Sequence, residues 1–123
     1  MLYDVIERQR LEASILDGIH TLMQRCPSEL HGYLTVPILR RRAGAQRPLR
    51  VTLVMTTSSS WFITADRFYT RYDTGWLAKL EMPELRTCLR FLSTGRDLGR
   101  GWSIDAALRR ASELKHESQA TLW

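Results

Sequence analysis

The chain has 123 residues, of which 44% are hydrophobic and 25% charged, and its formal net charge is +5. This length predicts a single domain, residues 1–123, that can fold without disulfides, and the composition excludes the intrinsically disordered class. No apolar run approaches the roughly 18 residues that a membrane helix needs, and the acidic residues at the N-terminus are unlike a secretory signal. We therefore expect a cytoplasmic protein with no membrane contact, whose Cys26 and Cys88 are reduced thiols.

The first predicted element is a long amphipathic helix over residues 4–25. Asp4 can cap its start, and Pro27 closes its end. Apolar residues recur at intervals of three and four, which is the period of one helix face. This stripe, wide enough to cover a sheet, consists of Val5, Leu11, Ile15, Leu16, Ile19, Leu22 and Met23. His20 lies on or near it, so we expect a histidine packed in the core.

A β-hairpin follows, because residues 33–39 and 49–57 both alternate with period two around a loop at 43–46. The alternation predicts a register that places six apolar residues on the side facing the first helix. The predicted pairs are Ile38 with Val51, Val36 with Leu53, and Leu34 with Met55. Pro37 lacks a backbone donor, so the first strand is expected at an edge of the sheet.

Two further strands are predicted over residues 61–65 and 68–72, separated by a turn. The segment 76–80 fits either a short strand or the approach to a helix. Together with the hairpin, these elements indicate an antiparallel meander of three to five strands.

Two helices complete the predicted fold. Pro83 suits the first position of one of them, and Gly95 suits its C-cap. Ser103 suits the N-cap of the last helix, which is expected to fade near residues 115–116 and leave a frayed tail at about 117–123. The element order predicts an α+β fold in which the N-terminal helix and the two C-terminal helices cover one face of the sheet.

The charge is concentrated in the hairpin. Residues 30–65 contain no Asp or Glu but carry five arginines, which equal the net charge of the whole chain: Arg40, Arg41, Arg42, Arg47 and Arg50. Such a cluster repels itself and favours an anionic partner, either nucleic-acid phosphate or an acidic protein surface. In the predicted register Arg42 lies opposite Arg47, a like-charge pair that costs stability. The alternative is a solvated loop whose charges stop the edge strand from pairing with other chains.

A second candidate for anion binding is the glycine-rich segment 95–103, where Arg96 and Arg100 precede the start of a helix. The alternative is an ordinary helix–helix connection. Tyr69 and Tyr72 are candidates for stacking on nucleic-acid bases, although aromatic residues on strands more often fill the core.

Catalytic and metal chemistry have little support in the sequence. The spacing of His20, His31, Cys26 and Cys88 fits neither a metal site nor a catalytic pair, so we expect no metal and no cofactor. A metal-independent ribonuclease needs no linear motif, and Tyr69, Arg71 and Tyr72 keep that option open.

These features favour a non-enzymatic basic regulatory or accessory protein that binds nucleic acid through an arginine-tipped β-hairpin. The second interpretation is a protein-binding adaptor or inhibitor, with the option of homodimerisation, whose arginines contact an acidic partner. The third is a small ribonuclease-type toxin. The sequence leaves open DNA, RNA or protein as the partner, as well as specificity, oligomeric state and pathway.

Overall fold

Helices and strands are mixed along the chain in the computed structural model, which confirms the mixed helix-and-strand class. The structure describes residues 2–40, 50–55, 61–64, 68–70, 72–96 and 103–120. Short 3-10 turns occur at Ser28–Leu30 and Leu77–Lys79. The longer elements, in chain order, are α1 (Leu2–Arg25), β1 (Thr35–Arg40), β2 (Arg50–Met55), β3 (Trp61–Thr64), β4 (Phe68–Thr70), α2 (Met82–Thr94) and α3 (Ile104–Ala120). Within these described ranges, no helix combines the length and the apolar content that crossing a membrane requires.

Helix α2 begins and ends where local chemistry satisfies its backbone. The amide of Glu81, the N-cap residue, donates to Glu84 Oε1 at 2.9 Å, which forms half of a capping box. Gly95 adopts a left-handed conformation with φ 72° and donates its amide to the carbonyl of Phe91 at 2.7 Å. The predicted C-cap is therefore confirmed, whereas Pro83 is the second helical residue rather than the first.

Helix α3 starts at the predicted cap, because the Ala106 amide donates to Ser103 Oγ at 3.0 Å. It does not fade near residues 115–116 but continues to Ala120, so that part of the prediction was wrong. Arg110 contacts Glu113 at 3.1 Å and Glu117 at 3.4 Å, and ion pairs at helical spacing favour the extra turns. Residues 121–123 of the expected frayed tail lie outside the described residues.

The stabilising effect of the Ser103 cap on α3 can be tested by mutation. Replacing Ser103 with alanine should lower the free energy of unfolding by about 1 kcal/mol, because the Ala106 amide loses its acceptor. Urea unfolding of both proteins measures the difference. The matched control is Ser112→Ala, an exposed position within α3 that should change stability by no more than about 0.5 kcal/mol. Equal losses in the two variants would contradict a capping role for Ser103.

The described strands pair antiparallel in the order β1-β2-β3-β4. One face of this sheet is buried, with Val36 and Leu53 at 0% exposure and Tyr69 at 7%. Alternate residues such as Thr35 and Thr70 are exposed. Helices α2 and α3 contact β1, and α1 packs most extensively on α2 rather than directly on the hairpin. The contacts of α2 and α3 with β1 therefore agree with the burial of one face of the sheet.

The hairpin register changes at a β-bulge. Val36 pairs with Leu53 as predicted, and the Met55 amide donates to the Leu34 carbonyl at 3.0 Å, which agrees with the predicted Leu34–Met55 pair. The register then shifts between Pro37 and Leu39, so that Val51 pairs with Leu39. The predicted Ile38–Val51 pair was therefore wrong.

The bulge has a packing cause in two consecutive apolar residues. A regular strand sends Ile38 and Leu39 to opposite faces, and one of them would meet water. A bulge sets two residues against one on the partner strand and can turn both toward the core. Both side chains are indeed buried, at 3% and 6% exposure. Burying both apolar residues therefore accounts for the local loss of regular pairing.

Candidate functional site

The bulge in β1 places the first hairpin arginine, Arg40, opposite the last one, Arg50. Leu39 and Val51 pair at the core side, and the next residues, Arg40 and Arg50, are Cα partners of each other. By alternation both occupy positions of the face opposite the core. Without the bulge, Arg40 would fall on the core side. The register therefore places two arginines directly opposite each other, an arrangement that costs stability in the absence of an anion.

The other three hairpin arginines belong to the connection between these paired ends. Arg41, Arg42 and Arg47 lie in the segment 41–49, outside the described residues, as does the predicted Arg42–Arg47 pair. The chain runs through this segment from Arg40 to Arg50, whose backbones pair. All five arginines thus fall within eleven consecutive residues that begin and end at one end of the β1–β2 pair.

The helices carry no net charge. α1 contains four acidic and three basic residues, α2 one acidic and two basic, and α3 three of each. Their eight acidic residues equal their eight basic residues. The segment from β1 to β3 contains no acidic residue. The formal excess of positive charge is therefore separated from the helices and concentrated at the end of the hairpin, where it raises the local electrostatic potential.

Three arginines of α1 and α2 contact groups within the protein. Arg25 contacts Asp105 at 2.8 Å and so links α1 to α3, while Arg86 contacts Glu7 at 2.9 Å and links α2 to α1. A third arginine, Arg8, donates to the Leu77 carbonyl at 2.7 Å and lies 3.1 Å from Glu12, one turn further along α1. Exposed pairs of this kind contribute at most about 1 kcal/mol each. These ion pairs matter here because each places an acidic residue beside an arginine of the helices, so that the two charges cancel locally.

The second predicted anion site has the geometry of a helix–helix connection. Arg96 is exposed and forms an isolated backbone bridge with Ser103, and the Ile104 amide donates to the Gly95 carbonyl at 2.8 Å. These contacts join the end of α2 to the start of α3. Arg100 lies outside the described residues, so anion binding by this segment stays a prediction.

The two tyrosines proposed for base stacking have different environments. Tyr69 is 7% exposed, and the Lys79 ammonium lies 5.5 Å from the centroid of its ring. Its ring is part of the core and offers little surface to a base. Tyr72 is 77% exposed. The stacking prediction therefore depends on Tyr72. The ribonuclease hypothesis, which needs Tyr69, Arg71 and Tyr72 to reach a substrate, is weakened because Tyr69 is buried.

The cysteines and His20 do not form a reactive centre in the described part of the chain. Cys26 and Cys88 are free and buried, and burial raises the pKa of both thiols, that of Cys88 to about 12. His20 is exposed, which corrects the predicted core position, because it lies about 100° around α1 from buried Ile19. Across the ranges given above, no group of three or more His, Cys, Asp or Glu residues could hold a metal ion.

Burial of Cys88 predicts a pH effect on stability. The ordinary pKa is 9.0, so above pH 9 the unfolded chain loses this thiol proton while the folded chain keeps it up to a pKa of about 12. The stabilisation is complete below pH 9 and is lost as pH rises toward 12. Between pH 8 and pH 10 we expect a loss on the order of 1 kcal/mol to come from Cys88. Urea unfolding of the parent and of Cys88→Ala measures it, and identical pH dependence in both would contradict the assignment.

A groove of about 280 Å³ lies where α1, α2 and the start of α3 meet. Gly18 lines the groove and lets α1 approach α2 closely, since a Cβ at that position would lie 3.1 Å from Leu92 Cβ. Its basic lining residue, Arg25, is already engaged with Asp105. The groove therefore presents hydroxyl and apolar groups and no arrangement for acid–base or nucleophilic chemistry.

The bulge is the feature of the candidate site that the sequence prediction missed. Its signal was the Ile38-Leu39 pair, which breaks the apolar–polar alternation of the first strand.

No protein-family model, curated protein or solved structure matches this chain. Function is therefore inferred from the charge, register and burial of its own residues.

Proposed function

We propose that this chain is a non-enzymatic regulatory or accessory protein that binds nucleic acid through its arginine hairpin, the segment Arg40–Arg50. One observation carries the proposal. The helices are electrically balanced, whereas the hairpin holds five arginines in an acid-free stretch of 36 residues, numbers 30–65. The proposed scaffold is an antiparallel meander covered on one face by the helices.

Arginine suits this role because its planar guanidinium grips a phosphate with two parallel hydrogen bonds. Each phosphate that an arginine neutralises releases counterions, so the free energy of binding depends steeply on salt. Contacts of this kind set the position and orientation of a protein on the nucleic acid but carry no sequence information. We therefore expect affinity for many sequences, with the paired strands β1 and β2 holding both ends of the arginine segment in place.

Binding to an acidic protein is the alternative, and exposed apolar residues on the first turns of α1 favour it. Leu2, Tyr3 and Val5 are 77%, 78% and 50% exposed, and Ile6 is 42% exposed. A cluster of large apolar side chains in contact with water is typical of a protein–protein contact surface. In this alternative an adaptor or inhibitor contacts its partner, or a second copy, through α1 as well as through the arginines.

Equilibrium binding at low salt tests the proposal. Fluorescence anisotropy would be measured for the parent protein with mixed-sequence duplex and single-stranded oligonucleotides. We expect binding to unrelated sequences that weakens as salt is added. A complex with an acidic protein would retain an apolar component at high salt. If the parent binds neither form of nucleic acid, the proposal is wrong and the adaptor function takes its place.

A further inference from the structure

The first turns of α1 carry large apolar side chains that the described part of the protein leaves in contact with water. The side chains at positions 2, 3, 5 and 6 are between 42% and 78% exposed. The next residue, Glu7, contacts Arg86 at 2.9 Å and so holds α1 against α2. Apolar side chains point to several sides of these first turns, and a helix segment of that kind is normally buried. Another molecule is therefore expected to cover it.

A stripe of exposed residues runs from these turns along the whole of α1, and we call it the outer face. It lies opposite Ile15 and Leu22, which are buried in the core. Its members recur at intervals of three and four residues, which keeps them within about a third of the helix circumference. The outer face consists of Tyr3, Ile6, Arg10, Asp17, Thr21 and Gln24, all of them exposed. It is therefore apolar at one end, polar at the other, and carries one charge of each sign between them.

The outer face is complementary to itself when two copies of α1 lie antiparallel. With a two-fold axis between residues 13 and 14, Arg10 of each copy lies level with Asp17 of the other. Opposite charges then meet twice. The first turns of each copy lie level with Thr21 and Gln24 of the other. In a parallel pair Arg10 would meet Arg10 and Asp17 would meet Asp17, so charge selects the antiparallel arrangement.

The middle and the polar end of the outer face also fit this arrangement. Ala13 and Ser14 at the axis are small and exposed, which allows the two helices to approach closely. Ser14 and Thr21 line the groove between α1, α2 and the start of α3. Ile6 of the second copy, level with Thr21, therefore lies at the mouth of this groove, where Leu92 offers apolar contact. The apolar end of one copy thus meets an apolar recess of the other.

From this self-complementarity we infer that two copies of the chain associate through the outer faces of α1 in an antiparallel, two-fold symmetric contact. The outer face has no net charge, so it favours neither a nucleic acid nor an acidic protein. A lipid surface requires apolar residues along a whole helix face, whereas here they are confined to the first turns. The inference is independent of the proposed function, because the hairpin arginines take no part in the contact.

The size of the contact predicts a weak dimer. A single pair of helices buries less than the roughly 800 Å² per partner of a standard interface. We therefore expect a dissociation constant on the order of 100 µM and a monomer at much lower concentrations. Sedimentation equilibrium from about 1 µM to about 1 mM protein, at low salt and without nucleic acid, covers this range.

Charge reversal tests the predicted pairing of Arg10 with Asp17. Arg10→Asp and Asp17→Arg each replace two attractive contacts with two repulsive ones, so each variant alone should dimerise at least about tenfold more weakly than the parent. An equimolar mixture of the two variants should regain the affinity of the parent, because every acid then faces an arginine of the other chain. Recovery in the mixture cannot arise from a change in folding of either variant.

A pair of serine variants tests the apolar end of the outer face. Ile6→Ser removes the side chain that lies at the groove of the second copy and should weaken the dimer at least about fivefold. Val5→Ser is the matched control, because Val5 is also exposed but lies about 100° around α1 from Ile6, away from the outer face. It should leave the dissociation constant unchanged. Circular dichroism would establish that both variants are folded.

The outcomes are distinct from those of the nucleic-acid measurements. A parent that stays monomeric up to about 1 mM would overturn the inference and leave the proposed function standing. A dimer that neither Arg10→Asp nor Ile6→Ser weakens would show that another surface is used, and would overturn it as well. Weakening by both charge variants without recovery in their mixture would contradict the antiparallel register on which the inference depends.

Discussion

Replacing Arg40, Arg41, Arg42 and Arg47 together with alanine should flatten the log–log salt dependence of duplex-DNA binding by about 3.6 units. The expectation follows from a slope of about 0.9 for each neutralised phosphate on duplex DNA, with each arginine contacting one phosphate. Affinity should fall for all unrelated sequences alike, because phosphate contacts carry no sequence information. Binding isotherms at four or five salt concentrations measure the slope for both proteins.

The same variant should fold as stably as the parent. Exposed substitutions usually change the free energy of unfolding by no more than about 0.5 kcal/mol. The described register adds a compensating effect, because Arg40 lies opposite Arg50 and its removal relieves a like-charge pair. Urea unfolding would establish that the two proteins are equally stable.

A matched variant distinguishes binding at the hairpin arginines from a general effect of the protein's net charge. Replacing Arg10, Arg90, Arg109 and Lys115 with alanine removes the same four charges from the helices. Because the helices are balanced and lie apart from the hairpin in sequence, this variant should change the salt slope by less than about one unit. Equal effects of the two quadruple variants would contradict a site at the hairpin.

Replacing Trp76 with alanine should lower the free energy of unfolding by about 3 to 5 kcal/mol. Trp76 is the largest of the fully buried side chains at 1% exposure and belongs to the single buried core cluster of the described residues. Truncation removes its transfer free energy and leaves a cavity that the neighbours fill only in part. Because a domain of this kind is stable by only about 5 to 15 kcal/mol, the loss would be a large fraction of the total.

The control for Trp76 lies four residues earlier. Tyr72 is 77% exposed, so Tyr72→Ala should change stability by no more than about 0.5 kcal/mol. Urea unfolding measures both variants. A loss below about 1 kcal/mol for Trp76→Ala, or similar losses for both, would contradict the described core.

Two helix ends were predictable because local chemistry determines them. Gly95 forms the C-cap of α2, and Ser103 caps α3, as their residue types indicate. The length of α3 was less predictable. Its last turns contain ion pairs from Arg110 to two glutamates. The prediction relied on apolar periodicity, which is weak in those turns, and therefore ended the helix too early.

The bulge in β1 was not predictable from alternation alone. Period-two reasoning reached Val36–Leu53 correctly and failed two residues later, because Ile38 and Leu39 both gain by burial. Whether the strand bends to bury both is decided by the core that packs against them and not by the strand itself. The prediction that His20 lies in the core failed because one residue corresponds to about 100° of rotation around α1, which separates His20 from buried Ile19.

For the candidate site, the sequence indicated which residues belong to it but not which face of the sheet they occupy. The arginine cluster could be read directly because charge depends only on composition and position along the chain. The face that carries Arg40 depends on one bulge, and the contrast between buried Tyr69 and exposed Tyr72 depends on packing. The register also aligns Phe62 with the exposed Thr35 and Thr70, a relation that requires all four strands at once.

The salt dependence of binding by the parent protein tests the central claim most directly. The affinity would be measured for three duplexes of unrelated sequence between 50 and 200 mM salt. An arginine hairpin that binds phosphate should give one common slope of about 4 in log affinity against log salt, since five arginines contribute about 0.9 each at most. A slope close to zero, or no binding at 50 mM salt, would contradict the claim that the hairpin binds nucleic acid.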